Sequence, residues 1–195
     1  MKKSLIKKYI STERFRSYSG IDEYLENLVF SKKAYIPLSI LEISLKNSIN
    51  ELLTEKLGEN WLENKDFLTN DSLRKIEEAK KILYKRAELI SKSKIIAELS
   101  FGFWVNLFKK PYEMKLRTKD IQKIFTNLPP KKEKMINREV IYKELNHIRN
   151  FRNRVFHYEK VINKDNYNQI FDEIDEVLFY FDKELFDCVK KANNG

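Results

Sequence analysis

Apolar residues recur at three- and four-residue spacing along most of this chain, which is typical of amphipathic helices. Proline suits the first turn of a helix because its missing N–H would have no partner there, so Pro37 is predicted to begin a helix that Gly58 ends. A separate helix is predicted over about residues 21–30. The stripe of the helix after Pro37 consists of Leu38, Leu41, Leu45, Ile49, Leu52 and Leu53.

Similar stripes and capping residues predict further helices along the rest of the chain. These helices are expected from a cap at Asn70 or Asp71, over about 94–108, over about 118–125, from a cap at Asn137 and from about 165. The connections between them are short, so an antiparallel bundle of long helices is the predicted architecture. Residues 1–195 are expected to form a single domain, in which residues 1–20 are candidates for a loosely packed N-terminal segment.

The composition favours an all-α fold. The 195 residues include four glycines and four prolines, too few for a turn-rich β-sandwich or barrel, and they leave no glycine-rich phosphate loop. One cysteine, Cys188, cannot form an internal disulfide, and we expect its thiol to be buried. No run of apolar residues is long enough to cross a membrane, so a protein of the cytoplasm without a membrane partner is expected.

The charge of the chain is strongly positive. Its 38 Lys and Arg stand against 29 Asp and Glu, which gives a formal net charge of +9. Lysine-rich, solvated helix faces account for much of this excess, whereas attraction to a polyanion such as RNA or DNA is the functional interpretation. Charge alone favours nucleic acid only slightly.

The end of the helix that begins after Asn137 is unusually basic. Three arginines and two asparagines lie in the six positions 149–154, shortly before His157. Arg152 falls on a position where the apolar stripe requires a hydrophobic residue, so its guanidinium should be paired, line a cleft or lie at an interface. The alternative is a basic helix end whose arginines interact with the helix dipole.

Helix geometry leaves two candidates for a phosphate contact near His157. Arg152 and His157 are about 140° apart around an ideal helix, whereas Arg149, Asn153 and His157 follow one line along it. His147, the other histidine, lies roughly 15 Å from His157 along a continuous helix. One chain therefore offers one useful imidazole, and a two-fold dimer would offer two.

The run Arg152–His157 resembles the R-x(4–6)-H signature of the HEPN superfamily, and RNRVFHYE resembles an element of the Abi-like, abortive-infection (AbiD/AbiF) group. Lys46 stands where that group usually has arginine, and Tyr158 replaces a histidine often found there. Further stretches resemble the group in the same order along the chain, from about residue 10 to residue 159. They are STERF at 11–15, LEISLKN at 41–47, Gly58 with Trp61-Leu62, and ELSFGFW at 98–104.

The resemblance implies a HEPN-like helical bundle with extra helices and metal-independent endoribonuclease activity in phage defence. It further implies a homodimer, no cofactor or metal, and a partner RNA, such as a small non-coding antitoxin, that restrains the toxin. In this interpretation Arg152, Asn153 and His157 are catalytic, because imidazole moves protons near neutral pH, arginine binds phosphate oxygens and the amide orients either group. The expected RNA-binding residues are Arg149, Arg154, Lys46 and Asn47.

Two other functions remain open from the sequence. The chain could be a non-catalytic HEPN module that binds RNA through its arginines, or a helical bundle whose basic helix packs against another protein. Trp61 and the aromatic residues of 101–104 are expected in the core rather than in base stacking. The acidic residues of 172–182 are expected to form a solvated helix face rather than a metal site.

Overall fold

A computed structural model describes residues 2–193, and this part of the chain is all-α without a β-strand, which confirms the predicted fold class. Three 3₁₀ turns, at Trp61–Glu63, Lys110–Tyr112 and Asp165–Tyr167, lie between the α-helices. The α-helices are α1 (Lys3–Tyr9), α2 (Thr12–Phe15), α3 (Ile21–Leu57), α4 (Asn70–Lys85), α5 (Lys92–Glu98), α6 (Phe101–Asn106), α7 (Thr118–Ile124), α8 (Arg138–Phe156), α9 (Ile170–Phe181) and α10 (Lys183–Asn193).

The longest helix joins two elements that the sequence predicted as separate. α3 runs through Pro37 without interruption, so the prediction that Pro37 begins a helix is wrong. A proline inside a helix costs about 3 kcal/mol because it removes one hydrogen bond and crowds the preceding turn. Buried residues on both sides of it, Asn27 and Ala34 before and Leu38 after, anchor both halves of α3 by tertiary packing.

Other boundaries differ in smaller ways. The helix predicted over 94–108 is two helices, because Leu99 has an extended backbone and α6 begins after Ser100. The cap of α4 is Thr69, whose hydroxyl accepts a hydrogen bond from the Ser72 N–H at 3.3 Å. Asn137 caps α8 as predicted, accepting from the Val140 N–H at 3.0 Å. The helix predicted from 165 is a 3₁₀ turn followed by α9 and α10.

The core is built around α3. This helix packs against α6, α7, α9 and α10, and α8 packs mainly against α6 and α9. Trp61 and Trp104 are fully buried with their rings edge to face at 6.1 Å, and Phe101 and Phe103 are buried beside them. The prediction that these aromatic residues belong to the core is confirmed. Cys188 is exposed on α10, so its predicted burial is wrong.

Most residues of the N-terminal segment lie at the surface of the molecule. Helices α1 and α2 contain no buried residue, whereas Tyr18, just after α2, is 7% exposed. The segment therefore depends on Tyr18 and on polar contacts for its position. No helix within residues 2–193 combines the length and the apolar character that a membrane crossing requires.

Candidate functional site

The basic motif lies on a regular helix. The apolar side chains of α8, including Ile148, Phe151 and Val155, are buried, and they fix which face points outward. Backbone hydrogen bonding continues past the last helical residue, since the His157 N–H donates to the Asn153 carbonyl at 2.9 Å. No break in the helix brings Arg152 and His157 onto one face, so they remain about 140° apart around it.

Arg152 occupies the seam between α8 and α3. Its Nη2 atom lies 3.1 Å from the Glu42 carboxylate, and its guanidinium lies over the Phe156 ring at 4.5 Å. The side chain is half-buried, and its Nε atom is buried without a hydrogen-bond partner within residues 2–193. Of the three settings expected for this arginine, the structure shows the ion pair, and its partner is a carboxylate on the longest helix.

Arg149 packs against α6. Its Nη1 donates to the Asn106 side-chain oxygen at 3.4 Å, and a Cβ placed on Gly102 would lie 3.5 Å from its Cδ atom. The stretch 98–104, which was singled out in the sequence, therefore contacts the motif helix directly. The Arg149 Nε is also buried without a partner in the described chain, so it is an unsatisfied donor beside α6.

Asn153 and His157 continue the line from Arg149 toward the end of the helix, and both are exposed. Within residues 2–193 the hydrogen bonds of these two residues beyond the helix ladder use backbone atoms, the His157 N–H with the Asn153 carbonyl and the His157 carbonyl with Arg14. Arg149, Asn153 and His157 thus form an edge that begins half-buried and ends in solvent. This edge, which we call the motif edge, combines a cation, an amide and an imidazole that a ligand could contact.

The other predicted RNA-binding residues lie on separate surfaces. Lys46 is half-buried one turn after Glu42 on α3, near the seam that holds Arg152. Asn47 is exposed and lines a groove between α3, α7 and the start of α10, so the structure does not bring it to the motif. Arg154 faces the N-terminal segment, and its Nη1 lies 2.8 Å from the Glu159 carboxylate.

Polar contacts from the N-terminal third of the chain hold the end of α8. Arg14 Nη1 donates to the carbonyl oxygens of Tyr158 at 3.1 Å and His157 at 3.5 Å. Asn27, 1% exposed, donates to the Glu159 carbonyl at 3.2 Å and accepts from the Val161 N–H at 2.7 Å. These bonds fix the backbone that carries the His157 imidazole.

Glu42, Arg14 and Asn27 were not identified from the sequence as residues of the site. Asn27 had a usable signal, because it is a polar residue in line with Ala34, Leu38 and Leu41 once α3 is extended through Pro37. Arg14 and Glu42 lie in the stretches 11–15 and 41–47 that the sequence analysis singled out, but nothing there indicates their partners, which for Arg14 are backbone carbonyls far along the chain.

His147 is engaged elsewhere. Its Nδ1 lies 2.6 Å from the Glu173 carboxylate on α9, and its ring stacks on Tyr167 at 5.5 Å. Glu144, one turn earlier, also faces α9, and burial raises its carboxyl pKa to about 7, against a lowering by Lys134. No group of three or more His, Cys, Asp or Glu within 2–193 is arranged to hold a metal ion.

Comparison of the chain with protein-family models, with curated proteins and with solved structures finds no match.

Proposed function

We propose that this protein is a metal-independent endoribonuclease of the Abi-like HEPN type, acting in the cytoplasm as a phage-defence toxin. One observation carries the proposal: an exposed imidazole, His157, ends a line with Asn153 and Arg149 beside the paired Arg152. These groups match the needs of RNA cleavage by its own 2′-hydroxyl. As the sequence resemblance implies, a partner RNA restrains the toxin.

The chemistry needs a base, an acid and a cation. The 2′-hydroxyl must lose a proton as it attacks the phosphate, and the leaving 5′-oxygen must gain one. An imidazole serves either role near neutral pH, and an arginine fork stabilises the charge on the pentacoordinate phosphate. His157 moves the proton, while Arg149 or Arg152 binds the phosphate oxygens and Asn153 orients the imidazole or the RNA.

The pairing of Arg152 with Glu42 is compatible with a phosphate contact. A guanidinium has five donors, and the 3.1 Å contact with Glu42 uses one edge of it. Glu42 therefore acts as a positioning residue that holds the guanidinium in the seam. Arg149 has no carboxylate partner within 2–193, so it can meet a phosphate without losing an ion pair.

A homodimer would supply a second imidazole. The motif edge is bordered by an apolar surface, because Tyr35 is 60% and Phe156 is 38% exposed and their ring centroids are 6.2 Å apart. A second copy that covers this surface would bring two motif helices together. Differently tagged Arg152→Ala and His157→Ala chains, purified as a mixed dimer, test this assembly: a fully active mixture would contradict a site shared between chains.

The test of the activity is incubation of the protein with total RNA in EDTA. We expect cleavage that leaves 2′,3′-cyclic phosphate ends and fails at a 2′-deoxy position. His157→Ala should reduce the rate by about 10²–10⁴-fold, whereas His147→Gln, the matched imidazole control, should leave it unchanged. Loss of cleavage in EDTA, or equal cutting of the 2′-deoxy substrate, would contradict the proposed mechanism.

A non-catalytic RNA-binding module is the second candidate, and the Arg152–Glu42 ion pair favours it to the extent that this arginine serves structure alone. In that case RNA binds with a strong salt dependence and is never cut. Binding measured in His157→Ala protein, next to cleavage by the unchanged protein, separates the two functions.

A further inference from the structure

A second candidate site lies between the N-terminal segment and the end of α8. It is a cavity of about 410 Å³, which we call the arm pocket. Its wall includes Arg14 and Tyr18 from the segment, Arg154 and Tyr158 from the end of α8, and Lys164 after it. The volume is at the small end of the range for small-molecule sites, about 300–1,000 Å³. Tyr158 directly follows His157, so the arm pocket adjoins the motif edge.

The arm pocket carries more positive charge than its carboxylates balance. Arg154 is paired with Glu159 at 2.8 Å, and Lys160, which also lines the pocket, is paired with Glu23 at 2.5 Å. Hydrogen bonding from Lys160 holds the pKa of Glu23 at about 2, so that pair is ionised at neutral pH. Arg14 and Lys164 have no ion-pair partner within residues 2–193. The lining also includes the Glu13 carboxylate, so the pocket keeps an excess of one positive charge when Glu159 and Glu23 are counted with it. Both cations can therefore meet an anion without losing an ion pair.

A buried hydroxyl in the same wall lacks a partner. Tyr18 is 7% exposed, and its Oη atom is buried without a hydrogen-bond partner in the part of the chain that the structure describes. The Lys160 ammonium lies over its ring at 5.4 Å from the centroid. Buried hydroxyls in folded proteins are almost always hydrogen-bonded, because an unmade bond costs free energy. A ligand oxygen in the pocket would satisfy this donor once the atoms that cover the Tyr18 Oη move aside.

Unusual backbone conformations gather at the same place. Ser11 and Tyr158 both line the arm pocket and have positive φ angles of 75° and 57°, and Asn163, next to Lys164, has a φ of 54°. Tyr158 takes this conformation as the residue that ends α8, where the Glu159 N–H donates to the Arg154 carbonyl at 2.9 Å, and asparagine adopts it more readily than most residues. Hydrogen bonds within the chain therefore hold this wall of the arm pocket without a ligand.

We propose that the arm pocket binds the phosphate group of a nucleotide, with Arg14 and Lys164 as its cations and the Tyr18 hydroxyl as a donor. Phosphate oxygens are strong acceptors that match a guanidinium, an ammonium and a phenol together. The phosphate belongs either to RNA that crosses the motif edge, which rests on the proposed nuclease function, or to a free mononucleotide. Both sources share the same chemistry at the pocket.

Occupation of the arm pocket would act on the motif through Arg14. The same guanidinium that faces the pocket donates to the carbonyls of His157 and Tyr158. A phosphate on its remaining donors would hold Arg14, and through it the end of α8, in place. RNA bound in the pocket would therefore order the imidazole at the moment when the substrate is present.

Isothermal titration calorimetry on the full chain carrying His157→Ala, which prevents cutting, tests the proposal. The probes are inorganic phosphate, adenosine monophosphate and a short single-stranded oligoribonucleotide at low salt. Lys164→Gln and Tyr18→Phe should each weaken binding of the probes about fivefold, the effect of one hydrogen bond of about 1 kcal/mol. Lys81→Gln is the matched charge control, because Lys81 is exposed on α4, outside the pocket, and should change nothing.

The source of the phosphate follows from the order of affinities. If RNA is the ligand, the oligoribonucleotide binds far more tightly than the mononucleotide and displaces it. If a free nucleotide is the ligand, the two bind with similar strength. Absence of binding by every probe, or equal effects of Lys81→Gln and Lys164→Gln, would overturn the proposal that the arm pocket binds phosphate. Cleavage by the unchanged protein is measured separately, so failure of the pocket and failure of the nuclease are distinguishable.

Discussion

The middle and the C-terminal end of α8 are held by different kinds of contact. In the middle, Phe151 is fully buried, and its ring lies within 6.3 Å of those of Phe30, Phe171 and Tyr167. At the end, the backbone around Tyr158 is fixed by hydrogen bonds from Arg14 and Asn27. Apolar packing thus places the helix, and polar contacts place the imidazole. Fold stability and the geometry of the site should therefore respond to different substitutions.

The largest effect is expected in the apolar middle. Phe151→Ala should lower the free energy of unfolding by about 3–5 kcal/mol, because it removes a large buried side chain and leaves a cavity. Asn150→Ala is the control on the same helix, since Asn150 is exposed, and it should stay within about 0.5 kcal/mol. Chemical denaturation measures both, and similar losses for the two variants would contradict the comparison.

A smaller effect is expected from the hydrogen bonds that hold the chain just after α8. Asn27→Ala leaves the Val161 N–H and the Glu159 carbonyl without their partner, so unfolding should become easier by about 1–3 kcal/mol. Hydrogen exchange should accelerate first at Val161, while the core of α8 stays protected. Asn47→Ala, an exposed position on the same helix, should stay within about 0.5 kcal/mol. Uniform loss of protection along α8 would show that the two regions are not separate.

A titratable group inside the middle region gives a pH dependence. The Glu144 pKa is raised from 4.5 to about 7, so the folded state disfavours the ionised carboxylate. Stability should therefore fall as the pH rises from about 4.5 to about 7 and remain lower above that range. Glu144→Gln cannot ionise, so its melting temperature should fall less than that of the unchanged protein between pH 5 and pH 8. An equal fall in both proteins would assign the slope to other groups.

The smallest effect on stability is expected at the arm pocket. Tyr18→Phe removes a hydroxyl that has no partner in the described structure and keeps the buried ring. The free energy of unfolding should stay within about 0.5 kcal/mol of the original or rise. Thermal melting without ligand measures this, and a loss above about 1 kcal/mol would mean that the hydroxyl supports the fold itself.

The sequence predicted α8 well because its signals are local. The Asn137 cap and the stripe that ends at Val155 are readable at helical spacing, and Arg152 stood out because it breaks that stripe. Asn27 breaks a stripe in the same way, but the sequence predicts a helix start at Pro37, and this false boundary hides the register that Asn27 shares with the second half of α3. A polar residue in an apolar stripe therefore identified Arg152 on α8, whereas the same signal at Asn27 on α3 was missed.

Contacts between distant parts of the chain could not be predicted. Arg14 reaches a carbonyl 144 positions later, and backbone carbonyls carry no residue-type signal. The division between α5 and α6 could not be predicted either, because Ser100 and Gly102 permit a helix start without requiring one. HEPN-type activity and the dimer stay predictions, since they depend on a ligand and a second copy.

The long span between Asn27 and its partners also orders the assembly of the molecule during synthesis. Asn27 emerges early from the ribosome, whereas Glu159 and Val161 follow 132 and 134 positions later. Until then the first half of α3 lacks the hydrogen bonds of Asn27, and contacts between residues so far apart in the chain form late in folding. The nascent chain would therefore be unable to fix the backbone around His157 until residues 159–161 had been made.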